Sequence, residues 1–133
     1  MHGASSQELL ETWSASAESM LRNKSQNGDR VIILAFEDLI DRTGPTMRRL
    51  ARELGIAYSP ILLKPTFNGQ TIQANSSFAT EESGVIKAPL TRGEMLSEAE
   101  RRFIETHCLG LYERVAARAL QVGGQSQKPR ARA

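Results

Sequence analysis

One segment of this sequence, between residues 64 and 92, carries side chains that could bind a phosphate group. Its amide and hydroxyl side chains include Asn75, Ser76 and Ser77, and its three cations are Lys64, Lys87 and Arg92. Hydroxyls, exposed backbone N–H groups and long cations are the groups that hold phosphate in proteins. The same residue types also make ordinary turns. Composition alone therefore leaves both interpretations open.

Two adjacent carboxylates, Glu37 and Asp38, follow an apolar run. One interpretation is a metal-holding acid pair at the end of a strand, as in P-loop nucleotidases. That arrangement would need a Gly-x-x-x-x-Gly-Lys-Ser/Thr loop beside it, and these 133 residues contain none. We prefer the other interpretation, in which both carboxylates hydrogen-bond nearby backbone and shape the turn into the next helix. We expect no metal.

His107 and Cys108 are adjacent residues on an apolar helical stripe. A histidine in such a place is more often a packed, hydrogen-bonded core residue than a base. Cys108 lies among apolar residues of the same stripe, so we predict that it is a small buried hydrophobe. Because it is the only cysteine, an internal disulfide and a cysteine zinc cluster are excluded. We identify no catalytic residue in the chain.

Capping boxes predict where two of the three helices begin. Ser5 pairs with Glu8, and Ser97 pairs with Glu100, at the spacing of a helix N-cap and its third residue. Helices are predicted over residues 6–23 and 98–120. Their apolar stripes consist of Leu9, Leu10, Trp13, Ala17, Met20 and Leu21 in the first, and Phe103, Ile104, His107, Cys108, Leu111 and Val115 in the last.

A third helix is predicted over residues 45–54. Pro45 suits the first helical position, and Gly55 suits the left-handed residue just past the end. Its buried stripe would be Met47, Leu50, Ala51 and Leu54.

Residues 56–96 show little periodicity, and their apolar side chains predict an ordered loop rather than a disordered one.

One strand is predicted over residues 31–36, where every side chain is apolar. A strand that is apolar on both faces is typical of a central strand covered on both sides. A lone strand leaves backbone N–H and C=O groups unpaired, which is costly when they are buried. Its partner strands must therefore lie in another chain or in additional sequence.

Charge and hydropathy limit the class of protein. The formal net charge is +2, and Lys128, Arg130 and Arg132 contribute +3 of it. A basic tail is usually a solvated terminus, so a nucleic-acid binder is a lesser alternative. No stretch suits a membrane helix or a signal peptide, and we expect a cytoplasmic protein. Residues 123–133 are predicted to be a disordered basic tail.

In chain order, these features resemble the second half of nucleotide-dependent sulfotransferases, especially the bacterial branch. The resemblance covers residues 10–115, and Trp13 also falls where the family often has a tryptophan. No single motif is specific, but the ordered set is. The matching runs are Phe-Glu-Asp-Leu at 36–39, Pro45, Leu-Gly at 54–55, Leu-Leu-Lys-Pro-Thr-Phe-Asn-Gly at 62–69, Asn-Ser-Ser-Phe at 75–78, Gly-Val at 84–85, Arg92, and Leu-Ser-Glu-Ala-Glu at 96–100.

The resemblance implies a P-loop-type α/β fold of three α/β/α layers, of which this chain, mostly helical with one central strand, would be the C-terminal portion. It implies transfer of a sulfuryl group from 3′-phosphoadenosine 5′-phosphosulfate (PAPS) to a hydroxyl or amine acceptor, without a metal. Residues 1–122 would form the C-terminal segment of that domain. The segment that closes near the 3′-phosphate would supply Asn75, Ser76, Ser77, Lys87 and Arg92. Gly93 follows Arg92 where many relatives have an aromatic residue.

The family's phosphosulfate loop, its 3′-phosphate Arg and Ser, and its catalytic base have no counterpart in these 133 residues. We therefore expect the chain alone to be inactive, either as a truncated gene product or as one part of a split enzyme whose other half is a separate chain. The acceptor stays open among sugars, lipids, phenols and peptides. The alternative is a small interaction module that adds its strand to a partner's sheet.

Overall fold

A computed structural model describes residues 5–72, 84–85 and 93–123 of the chain. These residues are mostly helical, as predicted, and also form a small two-stranded sheet, which fits a broad α/β class. They divide into two compact units, one of residues 1–35 with 91–120 and one of residues 36–90 with 121–133. The helices are α1 (Ser6–Asn27), α2 (Phe36–Asp41), α3 (Thr43–Leu54) and α4 (Glu98–Arg118), and the strands are β1 (Thr66–Phe67) and β2 (Gln70–Thr71).

The first unit pairs α1 with α4, and both helices begin at the predicted capping boxes. The Ser5 hydroxyl accepts from the Glu8 N–H at 3.2 Å, and the Ser5 N–H donates to the Glu8 carboxylate at 2.7 Å. Ser97 and Glu100 make the same pair of bonds at 3.2 and 2.8 Å. Helix α1 runs one turn beyond its predicted end, because the chain remains helical up to Gly28, which has a φ of 54°.

Helices α1 and α4 run in the same direction. The N-terminal half of α1 lines one groove together with the N-terminal half of α4. Toward their other ends, Leu21 and Ser25 of α1 line a smaller cavity with Arg114 of α4. Between α1 and the segment that follows, the Lys24 ammonium donates to the Val31 carbonyl at 2.7 Å.

The predicted strand over residues 31–36 is wrong as a regular strand. Ile33 forms one isolated parallel bridge with Ala119, and the Leu120 N–H donates to the Ile33 carbonyl at 2.8 Å. A strand persists only along the length of its partner, and among the described residues only this short segment pairs with it. Phe36 is the first residue of α2 and is 52% exposed, so it is not covered on both faces.

The second unit contains a helix–helix corner where a strand, a short turn and a helix were predicted. Helix α2 ends at Asp41, and Arg42 separates it from α3 with a φ of −124° and a ψ of 45°. The Thr46 side chain is fully buried, and its hydroxyl donates to the Asp38 carbonyl at 2.9 Å. Pro45 is the third residue of α3, not the first, and fits because no intrahelical bond needs its missing N–H there.

Helix α3 ends as predicted. Gly55 has a φ of 67°, in the left-handed region, and its N–H donates to the Arg52 carbonyl at 3.2 Å. The Ile56 N–H donates to the Ala51 carbonyl at 3.0 Å, which completes a Schellman motif.

After a 3₁₀ turn at Pro60–Leu63, strands β1 and β2 pair through an Asn68-Gly69 turn with φ values of 49° and 77°. Two positive φ angles identify a type I′ hairpin.

The described residues bury few apolar side chains. Ala17, Ile33 and Ala51 are the only buried apolar residues in this part of the chain. Trp13 and Phe103, predicted to be buried on helical stripes, are 39% and 38% exposed. The physical reason is that, among the described elements, α1 and α4 pack mainly against each other, so part of the apolar surface of each helix is left uncovered. None of the described helices is long and apolar enough to cross a bilayer.

Candidate functional site

The residues predicted to bind phosphate lie outside the described part of the chain. This holds for all five of Asn75, Ser76, Ser77, Lys87 and Arg92, and their role stays a prediction. The predicted tail also lies outside it beyond residue 123. What is described is the β1–β2 hairpin just before this segment, which fixes the backbone up to Ile72 through a hydrogen bond from its N–H to the Pro65 carbonyl at 3.3 Å.

The acid pair Glu37 and Asp38 opens a helix instead of ending a strand. Both lie in the first turn of α2, where negative charge is favoured by the helix dipole. The Asp38 carboxylate lies 3.6 Å from the Arg42 guanidinium, and the Asp38 carbonyl accepts from the Thr46 hydroxyl. Asp38 therefore stabilises the corner between α2 and α3 through its carboxylate and its backbone carbonyl. No cluster of three potential metal ligands occurs among the described residues.

His107 is hydrogen-bonded but exposed. Its Nδ1 lies 2.7 Å from the Phe103 carbonyl, and its ring centroid lies 4.4 Å from that of Phe103. The predicted hydrogen bond is confirmed, but the predicted burial was wrong, since the described residues leave the His107 side chain exposed. Cys108, by contrast, is half-buried and faces α1 across a groove.

The first unit contains a mostly apolar groove between α1 and α4, with a volume of about 800 Å³. We call it the α1–α4 groove. Its walls are apolar and include the aromatic rings of Trp13, Phe103 and Tyr112. The other lining residues are Ser6, Leu9, Leu10, Leu96, Ala99, Glu100, Ile104, Glu105, Cys108 and Leu109.

The charges that line the groove have one sign. Glu100 and Glu105 are its only charged lining residues among those described, and neither a lysine nor an arginine lines it. Hydrogen bonds from the Ser97 backbone N–H, and then from the Ser97 hydroxyl, lower the pKa of Glu100 below its usual value. Glu105 forms no hydrogen bond or ion pair within the described segments.

Sequence reasoning missed the groove because it assigned these side chains to a buried core. Leu109 and Tyr112 lie off the predicted stripe of α4, yet both line the groove and are 39% and 46% exposed. Their presence was the available signal. Together with Phe103 and Ile104 they give α4 more apolar surface than one neighbouring helix can cover.

Comparisons with protein-family models, with curated proteins and with solved structures found no match to this chain.

Proposed function

We propose that this chain is the C-terminal segment of a PAPS-dependent sulfotransferase, and that it does not transfer sulfuryl groups by itself. The proposed reaction of the whole enzyme moves a sulfuryl group from PAPS to a hydroxyl or amine acceptor. In this proposal, Asn75, Ser76, Ser77, Lys87 and Arg92 lie near the 3′-phosphate of the nucleotide.

The order of the sequence motifs supports the family assignment. Local geometry at three of them is consistent with their use as turns and caps. Gly55 ends α3 in the left-handed conformation, Asn68 and Gly69 form the hairpin turn, and Ser97 caps α4. The motifs thus coincide with the points at which the backbone changes direction.

The observation that carries the proposal of a segment is the small number of buried apolar side chains. Among the described residues, the buried set is Ala17, Ile33 and Ala51, together with the polar Thr46. Burial of apolar surface is the main favourable term in folding. A stable domain of this length needs a larger core, and a complementary polypeptide carrying further strands and helices would supply it.

Inactivity of the isolated chain follows from the chemistry. Group transfer depends on donors positioned around the transferring group and on a base within reach of the acceptor. In the family these groups lie in the half that is not represented in these 133 residues. The complementary half would have to contribute the phosphosulfate loop and the base.

Thermal unfolding with and without millimolar 3′-phosphoadenosine 5′-phosphate tests the proposal. We expect no rise of the unfolding midpoint over that in adenosine 5′-monophosphate, which lacks the 3′-phosphate. A ligand that binds only the native state raises the midpoint by mass action. A specific rise would contradict the absence of a working nucleotide site in this chain, and Ser76→Ala, Ser77→Ala and Arg92→Gln would then locate it.

The family assignment itself is tested by completion. Coding sequence in frame upstream, or a separate gene, should encode a strand followed by a loop bearing Gly and Lys. Co-expression of that half with this chain should yield sulfuryl transfer from labelled PAPS that neither half shows alone. A complementary half of unrelated sequence that forms a stable complex without nucleotide binding would overturn the assignment.

One observation favours the second candidate, a small interaction module. The segment over residues 31–35 is bridged on one side at Ile33, and no described residue forms a hydrogen bond with the backbone of Ile32 or Leu34. In a strand, alternate residues direct their N–H and C=O groups to opposite edges. Ile32 and Leu34 therefore present an open edge that a partner's strand could extend.

Hydrogen exchange distinguishes the two candidates. An interaction module predicts that a partner protects the Ile32 and Leu34 amides without conferring nucleotide binding. The Leu120 amide, already bonded to Ile33, serves as the internal reference. Protection that appears only in a complex able to bind 3′-phosphoadenosine 5′-phosphate favours the enzyme segment.

A further inference from the structure

We propose that the α1–α4 groove binds a hydrophobic organic cation, that is, an amine or quaternary ammonium group attached to an apolar body. This proposal does not depend on the sulfotransferase assignment, since the groove lies within the first unit and includes none of the predicted phosphate-binding residues.

The size and lining of the groove suit a small amphipathic molecule. Its volume of about 800 Å³ falls in the range of ligand sites, which are mostly apolar with a few polar groups that fix orientation. Leu9, Trp13 and Ile104 are 60%, 39% and 41% exposed. Contiguous apolar surface of this kind is unusual on a monomer unless it serves binding.

The charges of the groove select the sign of the ligand. Glu100 is held in its ionised form by the Ser97 hydrogen bonds that lower its pKa. Glu105 lines the groove as an exposed acidic side chain and has no described ion-pair partner. With no cationic side chain in the described lining, a cation is attracted and an anion is repelled.

Aromatic rings add a second, independent preference for a cation. Trp13, Phe103 and Tyr112 all line the groove. The face of an aromatic ring attracts ammonium groups, tryptophan most strongly, and quaternary ammonium ligands are commonly held among such rings. A site that combines three rings with two carboxylates is therefore matched to an organic cation.

A second copy of this chain fits the groove less well, because a two-fold dimer would place the same carboxylates of both copies at one interface. Like charges brought together in this way disfavour association. Apolar surface alone would suit either a second copy or a small ligand. The negative charge of the groove, by contrast, favours a cationic ligand over a second copy.

The test is a fluorescence titration of the 133-residue chain, in which Trp13 is the only tryptophan. The probes are decyltrimethylammonium, decyl sulfate and decyl maltoside, each below its micellar concentration. We expect a saturable change of Trp13 emission with the cation at lower concentration than with the neutral probe, and the weakest response to the anion. The formal net charge of the chain is +2, so non-specific attraction would favour decyl sulfate instead.

A matched pair of variants locates the effect. Glu105→Gln removes a lining carboxylate without changing the shape of the side chain and should weaken binding of the cation about two- to five-fold, the range of an exposed ion pair. Glu113→Gln makes the same change on α4 outside the groove and should leave binding unchanged. Far-ultraviolet circular dichroism of both variants reports whether the helices are retained.

Three results would overturn the proposal. They are equal affinity for the cation and the anion, equal effects of Glu105→Gln and Glu113→Gln, and a response of Trp13 that does not saturate. An increase in molecular mass with concentration, reversed by the neutral probe as effectively as by the cation, would assign the groove to a second copy instead.

Discussion

At the scale of single residues, side-chain hydrogen bonds to the backbone determine the described structure more than ion pairs do. Ser5 and Ser97 cap the two long helices, and Thr46 joins the α2–α3 corner. The ion pair of Arg102 with Glu98 is 77% and 79% exposed, and such pairs add little to stability. Loss of one of these hydroxyl groups should therefore have a larger effect than loss of an exposed ion pair.

Ser97→Ala should raise the pKa of Glu100 part of the way toward its ordinary value. The backbone N–H of residue 97 still donates to the carboxylate, and only the hydroxyl is lost. Because the folded-state pKa is lowered, the carboxylate contributes stability above the unfolded pKa, and this contribution disappears as the pH falls through the folded pKa. Carbon-detected NMR titration of Glu100 measures the change, and an unchanged titration in Ser97→Ala would contradict this account of its pKa.

Thr46→Val should lower the free energy of unfolding by about 1 kcal/mol. The valine keeps the volume of the buried side chain but cannot donate to the Asp38 carbonyl, which retains its bond from the Arg42 N–H at 2.9 Å. Urea denaturation measures the difference. The control is Thr71→Val on the exposed strand β2, which should stay within about 0.5 kcal/mol of the native value. Equal effects at the two positions would show that Thr46 is not a structural anchor.

At the scale of elements, two glycine positions allow the effect of backbone conformation on stability to be measured without a change in side-chain packing. Gly55 has a φ of 67° at the end of α3, whereas Gly110 lies within α4. A Cβ atom added at either position would have no heavy atom within 4 Å. The consequences of substitution therefore come from backbone conformation alone.

Gly55→Ala should destabilise the chain by about 1–2 kcal/mol, because an L residue in the left-handed region is strained. Gly110→Ala should stabilise it by up to about 1 kcal/mol, because alanine loses less entropy in a helix. Thermal and urea unfolding of the two variants give the sign of each effect. Effects of the same sign would contradict the backbone assignment of Gly55 or of α4.

Sequence reasoning succeeded where the determinant is local and was wrong where it is tertiary. The starts of α1 and α4 and the end of α3 depend on Ser5, Ser97 and Gly55 and their immediate neighbours, so they were predictable. The apolar run over residues 31–36 follows the pattern of a strand, but strand formation depends on a partner that only residues 119–120 supply in the described structure.

The candidate groove was unpredictable for a related reason. Its residues were recognised as apolar stripes, but periodicity indicates which side chains avoid water and not whether anything covers them. Trp13 and Phe103 fit the predicted stripes and are nevertheless more than one-third exposed. The predicted phosphate-binding residues, from Asn75 to Arg92, stay untested by the described geometry.

At the scale of the whole molecule, the proposed function and the small buried core have a common consequence for unfolding. Urea acts in proportion to the surface that unfolding exposes. With few buried apolar residues described, we expect the isolated chain to show a urea dependence at or below about 1 kcal/mol/M, the lower end for small proteins.

The two spectroscopic probes of unfolding should also fail to coincide, since Trp13 is 39% exposed before unfolding while most described residues are helical. Circular dichroism at 222 nm should report a broad loss of helix, and Trp13 emission should change little over the same urea range. Addition of the complementary half should steepen both curves and bring them together, because cooperative unfolding requires a shared core. Steep, coincident curves for the isolated chain would instead show that it holds a core of its own, and the proposal that it is a segment of a larger enzyme would lose its main structural support.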